Sequence, residues 1–87
     1  MAYQVSILPA ALRQLAKLPK LVQGRIQQRI YVLCEDPRPP GTKALAGRGG
    51  FYRFRVGDYR VIYEIRDEIL TVLVVRVGHR REVYRNR

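Results

Sequence analysis

The sequence predicts an α+β fold, and three observations predict it. Apolar residues recur at helical spacing in two short stretches of the N-terminal half, apolar and polar residues alternate through the C-terminal half, and a tight-turn dipeptide separates the first two alternating runs. Helices gathered ahead of a run of strands describe a helical layer on a mainly antiparallel sheet. With 87 residues, one domain over 1–87 is expected.

Tyr3 to Leu8 alternates weakly and suits a first strand. Pro9 sits well at a helix start, and Leu12, Leu15 and Ala16 give that helix an apolar side before Lys17-Leu18-Pro19 ends it. A second helix is expected from about Lys20 to Glu35. Val22, Ile26, Ile30 and Leu33 form its buried stripe, with Gln23, Arg25, Gln27 and Arg29 turned outward, Arg25 and Arg29 as either a solvated face or a secondary phosphate contact. The two make a helical hairpin. Residues 36–50 are rich in Pro and Gly and read as a long loop, functional or mobile, with Leu45 available as an anchor. Three strands follow, about Phe51 to Val56, Tyr59 to Arg66 and Ile69 to Val77, in an antiparallel meander with a charged turn at Asp67-Glu68. With the first strand the sheet has four. The last strand is apolar on both sides over Leu70 to Val75, which fits a strand covered on both faces.

Gly57-Asp58 reads as a two-residue turn, because glycine supplies the positive φ such turns need. That turn sets Val56 opposite Tyr59 and Arg55 opposite Arg60. Counting by twos adds Arg53 to the arginine face and sends Tyr52, Phe54, Val56, Tyr59, Val61 and Tyr63 to the other. Like charges directly opposite on a sheet cost a few tenths to roughly 1 kcal/mol. A fold that keeps them has an anion to put there.

The formal charge of +10 points the same way, since the basic residues are mostly arginine and guanidinium forks bind phosphate bidentately. Nucleic acid is the expected partner. Lys43 and Arg48 in the loop, and Arg81 and Arg85 in the tail, are the expected RNA contacts around the strand arginines. The N-terminus lacks a signal-peptide pattern and no stretch approaches the roughly 18 apolar residues of a membrane span, so a soluble cytoplasmic protein without a membrane partner is expected. Cys34 reads as a small apolar helical residue, and one cysteine with one histidine makes no zinc set. Glu64, Asp67 and Glu68 form no magnesium cluster. The Gly47-Arg48-Gly49-Gly50 run lacks the lysine and the strand-to-helix context of a nucleotide-binding loop. No cofactor is expected.

The run YRFRVGDYRVIY from Tyr52 to Tyr63, the run VGHRREVY from Val77 to Tyr84, the preceding DPRPPG and the two N-terminal helices together resemble the RelE group of the RelE/ParE toxin superfamily over essentially the whole chain. The resemblance implies a microbial-ribonuclease fold with two helices on one side of the sheet. It implies the toxin of a type II toxin–antitoxin pair, entering the ribosomal A site, against 16S rRNA, to cleave messenger RNA. A cognate antitoxin, the ribosome and mRNA are the partners implied. Residue by residue, Arg53 and Arg55 stand where the family has basic residues, often lysines. Arg60 matches its arginine after the turn, and Arg80 and Tyr84 match the arginine and tyrosine of its C-terminal segment. His79 stands where other members carry a basic residue. A ParE-like gyrase poison and a non-catalytic RNA- or ribosome-binding homologue are the alternatives.

Transesterification needs attack by a 2′-hydroxyl, stabilisation of a dianionic phosphorus centre and protonation of the departing 5′-oxygen. Arg53, Arg55, Arg60 and Arg80 suit the second task. Arginine keeps its proton, so none of them is a general base. Clustered cations favour the phenolate of Tyr84, making it the expected base. His79 has the intrinsic pKa of an acid for the leaving group, or else is a surface or phosphate contact.

Overall fold

A computed structural model describes residues 2–47, 49–79 and 81. The elements run β1 (Gln4–Ile7), α1 (Pro9–Ala16), α2 (Lys20–Val32), β2 (Lys43–Ala44), β3 (Phe51–Val56), β4 (Tyr59–Arg66), a 3-10 turn (Asp67–Ile69) and β5 (Thr71–His79). The sheet order is β1-β5-β4-β3-β2, with β1 parallel to β5 and every other pairing antiparallel. The sheet has five strands where the sequence predicts four. The added β2 is only two residues long, and its Pro- and Gly-rich surroundings carry no alternation. It is a strand because Lys43 and Ala44 pair with Arg53 and Tyr52.

The helices cover one face. Pro9 opens α1 where a missing N–H leaves no bond unmade. Its buried positions are Ala11 and Leu15, while Leu12 is 54% exposed. This corrects the expected Leu12–Leu15–Ala16 face, because the spacing that packs runs from Ala11 through Leu15 to the partly buried Leu18, and a small Ala11 admits the sheet closely. In α2, Ile26 and Ile30 are buried and Leu33 follows at the cap, on the expected stripe. Gln23 is not simply outward: its amide donates to the Leu18 carbonyl at 2.8 Å and closes the helical hairpin.

These helix residues pack on Phe54, Val61, Tyr63, Ile65, Val72, Val74 and Val77, with Tyr52, Val56 and Tyr59 at the margin. All six residues expected on the greasy face of β3 and β4 are therefore on the core side. Leu73 and Val75 on β5 stay partly exposed, so that strand is not covered on both faces as its apolar run suggests. It is flanked by β1 and β4 instead, and the run reflects an inner strand. β5 begins at Thr71 rather than Ile69, because Asp67–Ile69 coil into a 3-10 turn ending on Leu70 at φ +49°. The described helices are all too short or too polar to cross a membrane.

The loop after α2 is anchored at Pro37 rather than Leu45. Pro37 is buried, Leu45 only half so. The Tyr63 hydroxyl, rising from the core, donates to the Pro37 carbonyl at 2.8 Å and lies 3.3 Å from Thr42 Oγ1. Burial pushes the Tyr63 phenol above its ordinary value, with Thr42 opposing. Outside this anchor, Arg38 forks onto Asp67 at 2.8 and 3.3 Å, donates to the Tyr52 hydroxyl at 3.1 Å and lies over that ring, while the Tyr3 hydroxyl donates to Asp67 at 2.6 Å. The loop is thereby tied to β3 and the 3-10 turn, with Tyr3, just before β1, joining at Asp67.

Candidate active site

Gly57 at φ +58° followed by Asp58 at negative φ gives the hairpin a II′ pattern, and the register is Val56↔Tyr59, Arg55↔Arg60, Arg53↔Ile62. A two-residue loop makes Val56 and Tyr59 the hydrogen-bonded pair that closes it. Arg55 and Arg60 are then a non-hydrogen-bonded pair, the arrangement that brings opposed side chains closest. Across the β4–β5 pairing, Arg60 stands opposite Gly78, which has no side chain. Arg60 is only 9% exposed, and its Nη1 has no hydrogen-bond partner among the described residues. A buried guanidinium hydrogen left unmade is costly, and an anion is the partner that satisfies it.

Around it lies an open cleft of about 580 Å³ lined by Arg29, Pro40, Gly41, Lys43, Arg53, Arg55 and Arg60. Five of these seven carry positive charge, and no carboxylate is among them. The cleft therefore holds a concentrated positive field, suited to a phosphodiester backbone.

Arg29 lines the cleft, where the second of its two expected roles, a phosphate contact rather than a solvated face, would place it. Its outward assignment on α2 is corrected by the structure: it is half-buried, its guanidinium carbon 4.7 Å from the Phe54 ring centroid. β2 ends opposite Arg53, so farther along β3 the Arg55 carbonyl points to an edge without a strand. Arg29 Nη1 donates to that carbonyl at 3.3 Å. Gly41, at φ +92°, brings the loop past this guanidinium, its missing Cβ position 3.9 Å from Arg29 Nη2. No periodicity reveals this, because an edge-capping role depends on where β2 stops.

Arg76 joins the arginine face by a second irregularity. A register shift between Ile62 and Tyr63 places Val75 as the extra residue, so Arg76 falls opposite Ile62 and in line with Arg53. His79 is not brought to the cleft. It pairs with Tyr59 on the helix-bearing face, their rings edge to face at 5.7 Å, and its Nδ1 accepts from the Arg81 amide at 3.2 Å. Arg81 itself is exposed. Arg48, Arg80, Tyr84 and Arg85 lie outside the described residues. Among the described residues no three His, Cys, Asp or Glu side chains gather as metal ligands would.

Residues 5–84 match the family model described as the ParE toxin of type II toxin–antitoxin systems. The chain is also 34% identical over 86 residues to the toxin RelG of Mycobacterium tuberculosis, covering 98% of this chain and 99% of that protein. It is a RelE-type toxin of the RelE/ParE superfamily. The mRNA interferase toxin RelE of Escherichia coli is 32% identical to this RelE-type chain over 88 residues, covering 97% of it and 92% of the relative. The toxin of the archaeal RelE–RelB complex from Pyrococcus horikoshii superposes with a TM-score of 0.82 at 30% identity, covering 94% of this chain and 99% of that one. Those structures share the two helices packed against a mixed sheet.

Proposed function

We propose that this toxin is a ribosome-dependent mRNA endonuclease, held in check in the cytoplasm by a cognate antitoxin that covers the cleft. The observation that carries the reading is the buried, incompletely bonded Arg60 opposite Arg55 in a cleft of five cations. Chain cleavage puts two negative charges on the phosphorus centre, and preorganised guanidinium groups stabilise charge that develops only in the transition state. One good donor of that kind is worth about 2.7 to 4 kcal/mol. In this reading Arg53, Arg55 and Arg60, joined by Arg80 from the tail, bind the scissile phosphate and do for it what a metal ion does in other nucleases. Tyr84, which matches the tyrosine of the family's C-terminal segment, takes the 2′-hydroxyl proton in the same reading. The 2′-oxygen attacks, the bond to the 5′-oxygen breaks, and a cyclic phosphate and a 5′-hydroxyl are left.

The relatives named mRNA interferase, and the solved complexes of RelE with RelB, support the activity and the antitoxin partner. A gyrase-directed reading draws on the ParE description of the matching family model. Primer extension on a translated messenger, with and without active ribosomes, separates the two. Codon-phased 5′ ends that require ribosomes and vanish in Tyr84→Phe are expected. Intact message beside inhibited supercoiling would move the assignment to gyrase.

A further inference from the structure

The cleft holds positive charge in abundance but offers little that can give up a proton. Arg29, Arg53, Arg55 and Arg60 stay protonated at any ordinary pH, and Pro40 and Gly41 have no titratable side chain. Lys43 is the exception among the described lining residues. The chain's other lysines, Lys17 and Lys20, stand at the junction of the two helices. His79 faces the helix layer. A departing 5′-oxygen needs a proton at the moment its bond to phosphorus breaks, and the described cleft has one side chain able to deliver it.

We infer that Lys43 is the proton donor to the 5′-oxygen leaving group. Its placement is built rather than incidental. Lys43 pairs in register with Arg53, which puts its side chain on the arginine face beside a phosphate-binding group. Its backbone is fixed on both sides: Thr42 Oγ1 lies 3.3 Å from the Tyr63 hydroxyl, and the Leu45 amide donates to the Phe51 carbonyl at 2.9 Å. Two residues of strand thus fix the Lys43 backbone at the rim of the cleft that its side chain lines. Lysine is protonated at neutral pH, so the resting form is the acid. The residue is exposed, so solvent restores the proton after each turnover. In the step, the 2′-oxygen-to-phosphorus bond forms as its proton passes to the base. The bond from phosphorus to the 5′-oxygen breaks, and the Lys43 ammonium gives that oxygen a proton and becomes a neutral amine. Among the described residues, the charged groups that line the cleft with Lys43 are Arg53 and Arg55 from β3, Arg60 from β4 and Arg29 from α2.

The assignment rests on the endonuclease reading, and the test keeps the two apart. Single-turnover cleavage is measured on ribosomes programmed with a messenger bearing either the ordinary 5′-oxygen or a bridging sulfur at the scissile position, since a thiolate leaves without needing an acid. Lys43→Arg, which keeps the charge but holds its proton, is expected to cut the oxygen substrate about 100-fold or more slowly than wild type. It is expected to cut the sulfur substrate at the wild-type rate. Lys43→Met separates charge from proton transfer, because it is expected to lose rate on both substrates and more on the oxygen one. Equal slowing of Lys43→Arg on the two substrates, or no slowing on either, would make Lys43 a binding group and overturn the assignment. A wild-type protein that cuts neither substrate overturns the endonuclease reading and the acid with it.

Discussion

Two groups of arginines on this small molecule differ in a way that separates scaffold from site. Arg38 is bonded at every nitrogen: Asp67 takes its fork, the Tyr52 hydroxyl accepts its Nε–H and the Tyr52 ring lies beneath it. Its guanidinium is pushed further toward the charged form by the hydrogen bond to Asp67 first and Tyr52 second, and Asp67 is in turn held below the usual carboxylate range by Arg38 and then Tyr3. Arg60 is more deeply buried, faces another arginine and leaves one nitrogen unbonded among the described residues. Arg38 ties a loop down, whereas Arg53, Arg55 and Arg60 are spaced around a void that no carboxylate lines among the described residues. The contrast teaches that charge count alone says little about function, and that a missing partner says more.

The largest test of this contrast is Arg60→Ala. It should lower single-turnover mRNA cleavage by about 100- to 1,000-fold, the loss typical of one transition-state donor. The fold should remain intact by circular dichroism, because removal also relieves the repulsion with Arg55. A variant that cuts at the wild-type rate would reduce the cleft to a binding surface. Arg29→Ala should cost less, roughly 10-fold in the same assay, or about 1.4 kcal/mol. It removes one cleft charge and the bond to the Arg55 carbonyl. Arg29→Lys should restore part of the lost rate by returning the charge without the fork.

On the scaffold side, Tyr63→Phe removes the donor that holds Pro37 and should lower stability by about 1 to 2 kcal/mol in urea unfolding, the usual cost of leaving a buried carbonyl unbonded. Asp67→Asn should have the smallest effect. The pair it breaks is half exposed, and such pairs contribute little. Its signature is pH. Asp67 lies below its unfolded value, near 3.9, so its stabilising contribution is complete above that pH and is lost as pH falls through the folded value. Tyr3, raised by its bond to Asp67, and Tyr63, raised by burial, contribute in the opposite sense. Theirs is complete below about 10 and fades as pH rises beyond it. Urea titrations at pH 3, 7 and 11 should show the clamp strongest in the middle, and Asp67→Asn should flatten the acid limb.

Much of this site is legible in the chain because it sits on a hairpin. Gly57-Asp58 sets the turn, the turn sets the register, and a period of two assigns Arg53, Arg55 and Arg60 to one face and the aromatics to the other. The helix faces are less legible. Ala11 carries the contact that Leu12 was expected to make, since burial follows the angle at which α1 meets the sheet and not the size of the side chain. His79 looks suitable in sequence by its pKa and its neighbours, yet strand parity, shifted by the extra residue Val75, turns it to the helix side. The same shift turns Arg76 toward the arginine face.

The sequence by itself determined the helix-then-strand order, the opposed arginines and the excess of guanidinium, because these rest on contacts between residues a few positions apart. Tertiary structure alone decided that β2 exists, that Arg29 reaches from α2 to cap the open edge of β3, and that Lys43 lies beside Arg53. Each of those depends on chain segments 8 or more residues apart meeting in space. No local period records such a meeting, since it follows from which sheet edge is left unpaired and which core hydroxyl, here that of Tyr63, draws the loop back onto it.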